Sequence, residues 1–341
     1  MAEKKTAQNY VRNAAKRAVR RKKKKIVRKY PVVALVLFIL ALTVYLSLCA
    51  VDHYGVDIGF DVEMGDANVF DLFAPKKTID PLPVPEDGEV LFHFIDVGQG
   101  DAILVTTPDG NMLVDTSEPS AKEELDEYLK SANVTKLKYL VLTHPDADHI
   151  GNAAHVIENF EVENVVLNED NPATTKLFEN LLDVIEANDI NVISLKVGES
   201  FSLGALNNTV IAPNDDYNDP NEMSYVIKAV YGETSVMLTG DAEKKSEADI
   251  VEKWSADALK CDILKVGHHG SDSSTTEEFL NAVDPKIAVI SCGEGNKYGH
   301  PKPEILERLE EKGITVYRTD TQGSIIFKTD GNNFTLVETR N

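Results

Sequence analysis

Two imidazoles and two carboxylates fall within six residues, His144-Pro145-Asp146-Ala147-Asp148-His149, directly after the apolar run Leu140-Val141-Leu142. An apolar run of this kind reads as a buried strand, so all four groups sit at its mouth. Pro145 removes a backbone donor and stops the strand from simply continuing. Four potential ligands at the mouth of a buried strand can face one point in space, which is what a divalent-metal site needs. A polar loop with a helix cap at Asp148 would account for one acid but not for two histidines besides.

A second stretch, Lys265-Val266-Gly267-His268-His269-Gly270-Ser271, follows the apolar pair Ile263-Leu264. Gly270 lets backbone approach a ligand closely. His268 is read as the ligand here and His269 as its neighbour. Asp241 ends another apolar run, Leu238-Thr239-Gly240. Its carboxylate either bridges two cations or caps the helix that begins near Glu243. Asp115 follows Met112-Leu113-Val114, where a carboxylate can accept the N–H of a ligating imidazole and fix its tautomer. The Gly-rich loop from Phe94 to Asp101 is not G-x-G-x-x-G before a helix, which excludes a dinucleotide site. Asp96, Gln99 and Asp101 of that loop are candidates for contacts around the metal or the substrate, as are Ser224, His269 and Ser271. In Asn296-Lys297-Tyr298-Gly299-His300-Pro301, His300 is expected to reach substrate or leaving group, and Lys297 to contact substrate. A surface histidine ahead of a helix is the plainer alternative for His300. His53, His93 and His155 stand alone and point to no site.

Charge divides the chain into two objects. Of 35 Lys/Arg, 13 fall in residues 1–30 beside a single acid, Glu3; the rest of the chain holds 22 basic and 55 acidic groups. Between the two lies Pro31 to Val51, PVVALVLFILALTVYLSLCAV, without a charge. Spanning the hydrocarbon core takes about 20 apolar residues. The run therefore predicts a transmembrane helix over 31–51, with the basic tail 1–30 cytoplasmic and everything beyond it outside. A cleaved signal peptide fits less well, because the run is long for one and no small-x-small site follows. A lipoprotein site at Cys49 would need a small residue where Leu48 stands. The basic tail is either a topology signal or a contact for anionic lipid. Residues 52–88 are acidic and carry Pro75, Pro81, Pro83 and Pro85, the composition of a semi-rigid extracytoplasmic linker. Cys261 and Cys292 lie in apolar runs and read as core residues, so no disulfide framework is expected.

From residue 89 to residue 341 the pattern is that of a folded α/β domain. Antiparallel strands come first and strands alternating with helices follow, in each half. The strands are Val90 to Ile95, Ala102 to Thr107, Asn111 to Asp115, Leu137 to Leu142, Asn164 to Leu167, Val192 to Leu195 and Thr209 to Ala212. They continue with a hairpin from Tyr225 to Leu238, then Asp262 to Val266, Ile287 to Ser291 and three closing strands. Helices are expected at Lys122 to Ser131, Ile150 to Phe160, Thr174 to Ala187, Glu243 to Trp254, Thr275 to Val283 and Lys302 to Lys312. Two sheets packed face to face under outer helices fit that order.

These segments together resemble the metallo-β-lactamase superfamily, and more narrowly the C-terminal hydrolase domain of ComEC-type competence DNA-uptake proteins. The match runs through Ile95 to Ala102, Leu113 to Thr116, Thr143 to Gly151, Leu238 to Asp241, Leu264 to Ser271 and Asn296 to Pro301, in the family's order. The resemblance implies a four-layered αβ/βα sandwich with the site at one edge of its sheets. It implies that Asp148, His149 and His268 hold one metal, that His144 and Asp146 hold a second, and that Asp241 bridges them. Asp146 stands where the superfamily usually has His, and the region Asn221 to Ser224 lacks a further imidazole the family often carries. An oxygen-rich first site admits Mn2+ as well as Zn2+, so one or two ions of either are expected. Thr116-Ser117 replaces the usual Thr-Gly, a change expected to matter little.

The expected chemistry is attack by metal-bound hydroxide on an ester centre, with Asp148 and His300 as catalytic residues. The expected substrate is a phosphodiester, with DNA implied by the resemblance. The acidic domain works against this, since DNA affinity rests on phosphate neutralisation by Lys/Arg. Lys265 and Lys297 are the basic groups expected near the site. Small esters or lactones, a cell-wall choline-phosphate, and a binding module without catalysis are the alternatives. No protein partner is inferred.

Overall fold

The computed structural model of the protein describes residues 82–340. The basic tail, the apolar run 31–51 and the linker as far as residue 81 lie outside the described residues. Among the described residues no helix is long and apolar enough to cross a membrane. Leu82, within the segment read as linker, is already buried in the core, its N–H directed at the Ser131 carbonyl (3.4 Å).

The strands are β1 (Val90–Phe94), β2 (Ile103–Thr107), β3 (Gly110–Val114), β4 (Lys136–Leu142), β5 (Glu161–Leu167), β6 (Asn191–Ile193), β7 (Ser200–Leu203), β8 (Leu206–Ala212), β9 (Val226–Tyr231), β10 (Thr234–Leu238), β11 (Ile263–Lys265), β12 (Ile287–Ile290), β13 (Thr315–Arg318), β14 (Ser324–Thr329) and β15 (Phe334–Arg340). They form an eight-stranded sheet in the order β15-β14-β1-β2-β3-β4-β5-β6 and a seven-stranded sheet in the order β13-β12-β11-β10-β9-β8-β7. In each sheet an antiparallel set leads into a parallel one, from β3 to β6 in the first and from β10 to β13 in the second. The chain ends by returning to the first sheet, where β14 pairs with β1 from Val90↔Thr329 to Phe94↔Ile325.

Near-continuous apolar runs such as β1 are what a strand buried on both faces requires. Alternate side chains face opposite ways. Val90, Phe92 and Phe94 enter the core between the sheets, while Leu91 joins the layer beneath the helices of the first half. Val236 and Leu238 of β10 likewise face the first sheet, and Met237 faces the helices of the second half. Three apolar layers of this kind make a four-layered sandwich with helices outside both sheets.

Several elements differ from the sequence reading. The helix expected over residues 150–160 is two, Ala147–Ile150 and Ala153–Asn159. The chain breaks at Gly151, where a Cβ would come within 2.2 Å of the Ser117 carbonyl oxygen. Strand β7 was unexpected: Phe201 and Leu203 point inward, but two serines between and beside them make the segment read as loop. Short helices at Ala256–Leu259 and Thr319–Gln322 were unexpected as well.

Candidate metal centre

The parallel strands β3, β4, β10, β11 and β12 all release their chains at the same edge, the usual place for a site in sheets of this type. β3 gives Asp115, in the left-handed region at φ 60°. Its carboxylate accepts from Thr143 N (2.8 Å) and Thr143 Oγ1 (2.7 Å), which ties it to the end of β4. After His144 and Pro145 the chain turns into Ala147–Ile150, with the Asp146 carbonyl accepting from the N–H groups of His149 and Ile150. That single turn places His149 with Nδ1 2.8 Å from Asp115 Oδ2, so Nε2 faces away from Asp115 and into the site. The Asp115 carboxylate thereby holds the ring in one tautomer.

The second half supplies Asp241 after β10 and a tight turn, Gly267–Gly270, after β11. His268 (φ 46°, ψ 47°) and His269 (φ 55°, ψ 22°) are both left-handed. Consecutive non-glycine residues there are strained, and such strain gathers at functional sites. The turn aims His269 inward. Its Nδ1 donates to the Ser291 carbonyl (2.9 Å), and its Nε2 lies 3.5 Å from both Asp148 Oδ2 and Asp241 Oδ1.

One donor each from Asp148, His149, Asp241 and His269 lie within 4.8 Å of one another. The sequence reading placed His268 in this group, and the geometry puts His269 there instead. His268 is turned aside, with Nδ1 at 2.9 Å from Glu243 Oε1 and Nε2 at 3.7 Å from Asp241 Oδ2. Sequence cannot tell two adjacent histidines apart when the backbone rotation between them decides which one faces inward.

The donors fit a cation. Nε2 of His144, His149 and His269 and Oδ1 of Asp241 are buried without a hydrogen-bond partner. Buried polar atoms in native proteins are almost always partnered. The separations are also informative. Ligands ~2.0–2.2 Å from a shared tetrahedral ion stand about 3.3 Å apart. His149 Nε2 is 3.2 Å from Asp241 Oδ1, and the two contacts of His269 Nε2 are 3.5 Å. His144 Nε2 is farther out, 3.9 Å from Asp241 Oδ2. Asp241 thus lies among four imidazoles, as a bridging carboxylate would. Asp146 caps no helix through its side chain and does not join the four-donor group.

The local field is strongly anionic. Burial pushes His149 down, but Asp241 and Asp115 outweigh it and raise it well above the ordinary value. His269 rises to about 10 against burial, chiefly through Asp241 and Asp101. Burial raises Asp241 and Asp148, and the neighbouring imidazoles reverse both, leaving them lowered. His144 falls to about 3 through burial and then the nearby His149. Burial, then Asp148, raises Asp146.

The other expected residues divide. Asp101 is buried behind His269, and Ser224 Oγ accepts from Asp241 N (3.3 Å). Ser271 Oγ sits 2.8 Å from Ser273 Oγ in the turn that carries His269. Gln99 Oε1 receives Gly293 N (3.4 Å) between two loops at the rim. Asp96 is exposed and accepts from Gly98 N (3.2 Å), organising its own loop. His300 lies on the rim, its ring 5.6 Å from that of His268 and stacked on Tyr298 at 5.7 Å. Burial and the adjacent histidines hold His300 at about 4, so it is neutral at pH 7. Lys297 is exposed, its Nζ 4.8 Å from the Tyr298 ring centre. Lys265 is no substrate contact: it is fully buried and paired with Asp101. The sequence reading missed Glu243, which reads as a helix start, and the Ser291 carbonyl, which carries no side-chain signal at all.

Residues 95–294 match the family model described as the metallo-beta-lactamase superfamily. The chain belongs to that superfamily. Among curated proteins, this metallo-β-lactamase domain is similar to ComE operon protein 3 of Bacillus subtilis (strain 168), 34% identical over 261 residues, 71% of this chain and 33% of that one. It is also similar to competence protein ComA of Neisseria gonorrhoeae, 31% identical over 258 residues, 75% of this chain and 34% of that one. The chain spans about a third of the length of these curated relatives. Among solved structures, the metallo-beta-lactamase fold protein YhfI from Bacillus subtilis aligns with a TM-score of 0.48 at 10% identity, over 71% of this chain and 100% of that one. Its metallo-β-lactamase domain thus relates the chain to these competence proteins.

Proposed function

We propose that this protein is a membrane-anchored phosphodiesterase that uses a divalent cation, Mn2+ or Zn2+, held by Asp148, His149, Asp241 and His269. The observation that carries the reading is the buried group of inward-facing, unpartnered donors at the meeting point of the two sheets. When bound, such a cation lowers the pKa of water and stabilises charge on the attacked oxygens. Asp148 is the one member of the group that is not fully buried, so it marks the side from which substrate enters. His144 and Asp146 flank Asp241 and would hold a second, more weakly bound ion. Lys297 offers an exposed cation for a phosphate at the rim, and neutral His300 offers a hydrogen bond near the leaving group. Tyr298, 45% exposed, adds an aromatic face beside them.

DNA is the substrate drawn from the competence relatives. The excess of acidic groups favours a second reading, a small phosphodiester or ester that does not require a basic groove. Anchoring rests on the uncharged run from Pro31 to Val51 and its basic flank, which would place the domain outside the cell. A substrate panel on the full chain in detergent, loaded with Mn2+ or Zn2+, tests the reading. Single- and double-stranded DNA, bis(p-nitrophenyl) phosphate and a simple lactone are the members. Cleavage of phosphodiesters that His149→Ala and Asp241→Ala abolish is expected. Turnover of the lactone alone, or metal-loaded protein inert on every member, overturns it.

A further inference from the structure

The four cation donors come from separate halves of the chain. Asp148 and His149 follow β4 of one sheet; Asp241 and His269 follow β10 and β11 of the other. Besides the imidazole–carboxylate contacts of the centre, a buried lysine–carboxylate pair joins the halves. Lys265, the last residue of β11, is the one fully buried lysine among the described residues. Its Nζ lies 2.8 Å from Asp101 Oδ2 and donates to the Val266 carbonyl (2.9 Å). Asp101, on the loop between β1 and β2, is buried as deeply. Its N–H donates to the Asp148 carbonyl (3.1 Å), and its Oδ1 lies 3.5 Å from His269 Nδ1. Asp101 therefore touches one donor residue from each half, and Lys265 is the cation that fixes it there. Lysine is almost never fully buried without a specific partner. A buried ion pair is costly to desolvate, and apolar residues of the same volume often do as well or better for stability. Stability alone is a weak reason for these two residues.

We propose that Lys265 is a positioning residue: through Asp101 it sets the spacing of Asp148 and His269, and so the affinity of the centre for its cation. This rests on the reading that those side chains hold a metal. The direction of the effect separates positioning from simple charge. Removing a positive charge near a cation site tightens cation binding by electrostatics alone. Loss of positioning weakens it.

The test is calorimetric titration of Mn2+ into the chelator-treated full chain in detergent. Lys265→Met is compared with the double variant Asp101→Asn/Lys265→Met. The double variant removes both buried charges, so it remains folded where the single one leaves Asp101 uncompensated. Both are expected to bind Mn2+ at least about tenfold more weakly than the unaltered protein, in the range seen when outer partners of metal ligands are lost. In the double variant the thermal midpoint before metal addition is expected to change little, which a purely structural role would not give. A folded double variant that binds Mn2+ as tightly as the unaltered protein, or more tightly, overturns the proposal. An unaltered protein that binds neither Mn2+ nor Zn2+ removes the metal reading itself and is told apart by that control.

Discussion

Asp115 Oδ2 and His149 Nδ1 lie 2.8 Å apart, and this contact decides which nitrogen of the ring faces the centre. Asp115 is fixed in turn by two bonds from Thr143. Replacing it by Asn should let the ring adopt the wrong tautomer. Asp115→Asn is expected to weaken cation binding about 10–100-fold, read by equilibrium dialysis. Unchanged affinity in a folded variant would show that the tautomer is set elsewhere.

His269 and His268 should differ sharply on substitution. His269→Ala removes one of four convergent donors and leaves Asp241 and Asp148 without a shared partner. Its expected effect is loss of stoichiometric metal in elemental analysis and of activity with it. His268→Ala removes a ring already engaged by Glu243, and metal content should survive. The reverse pattern would restore the sequence-based assignment.

Gly100 is packed against the site. A Cβ there would come within 2.3 Å of the Asp148 carbonyl oxygen, at a φ of 116° that side chains rarely adopt. Gly100→Ala is expected to cost about 1–3 kcal/mol from backbone strain, and to displace Asp148 as well. Chemical denaturation measures the first effect and metal titration the second. A variant as stable and as well loaded as the unaltered protein would contradict the packing described.

His93 lies away from the centre, buried in β1 with Nδ1 3.1 Å from Tyr128 Oη. Burial lowers it to about 3. The unfolded chain binds the proton near pH 6.5 and the folded chain resists it, so stability is full above pH 6.5 and falls as pH drops towards 3. Between pH 7.5 and 5.5 this group removes ~1.4 kcal/mol. In urea unfolding, His93→Gln should lose that much less than the unaltered protein over the same interval. Equal losses would mean that His93 is not held neutral in the fold.

Much of the fold was legible because its strands are buried on both faces and read as uninterrupted apolar runs. β1 is buried along its whole length, and β4 and β10 are apolar and buried in their last three residues, Leu140 to Leu142 and Val236 to Leu238. β7 was not legible, because Ser200 and Ser202 face outward and leave only two apolar residues as signal. Of the centre, Asp148 and His149 were legible because they lie where ligand types cluster in sequence, and Asp241 because it ends a strand. The centre was not legible where backbone rotation chooses between neighbours, as at His268 and His269. Lys265 does lie near the centre, but its burial could not be read from sequence, because its partner, Asp101, stands 164 positions away.

The most direct measurement is anomalous diffraction from crystals of the protein grown with Mn2+. The expected result is a peak bounded by Asp148, Asp241 and the Nε2 atoms of His149 and His269. Full occupancy of Mn2+ elsewhere, or no bound ion while those side chains keep their positions, would contradict the account.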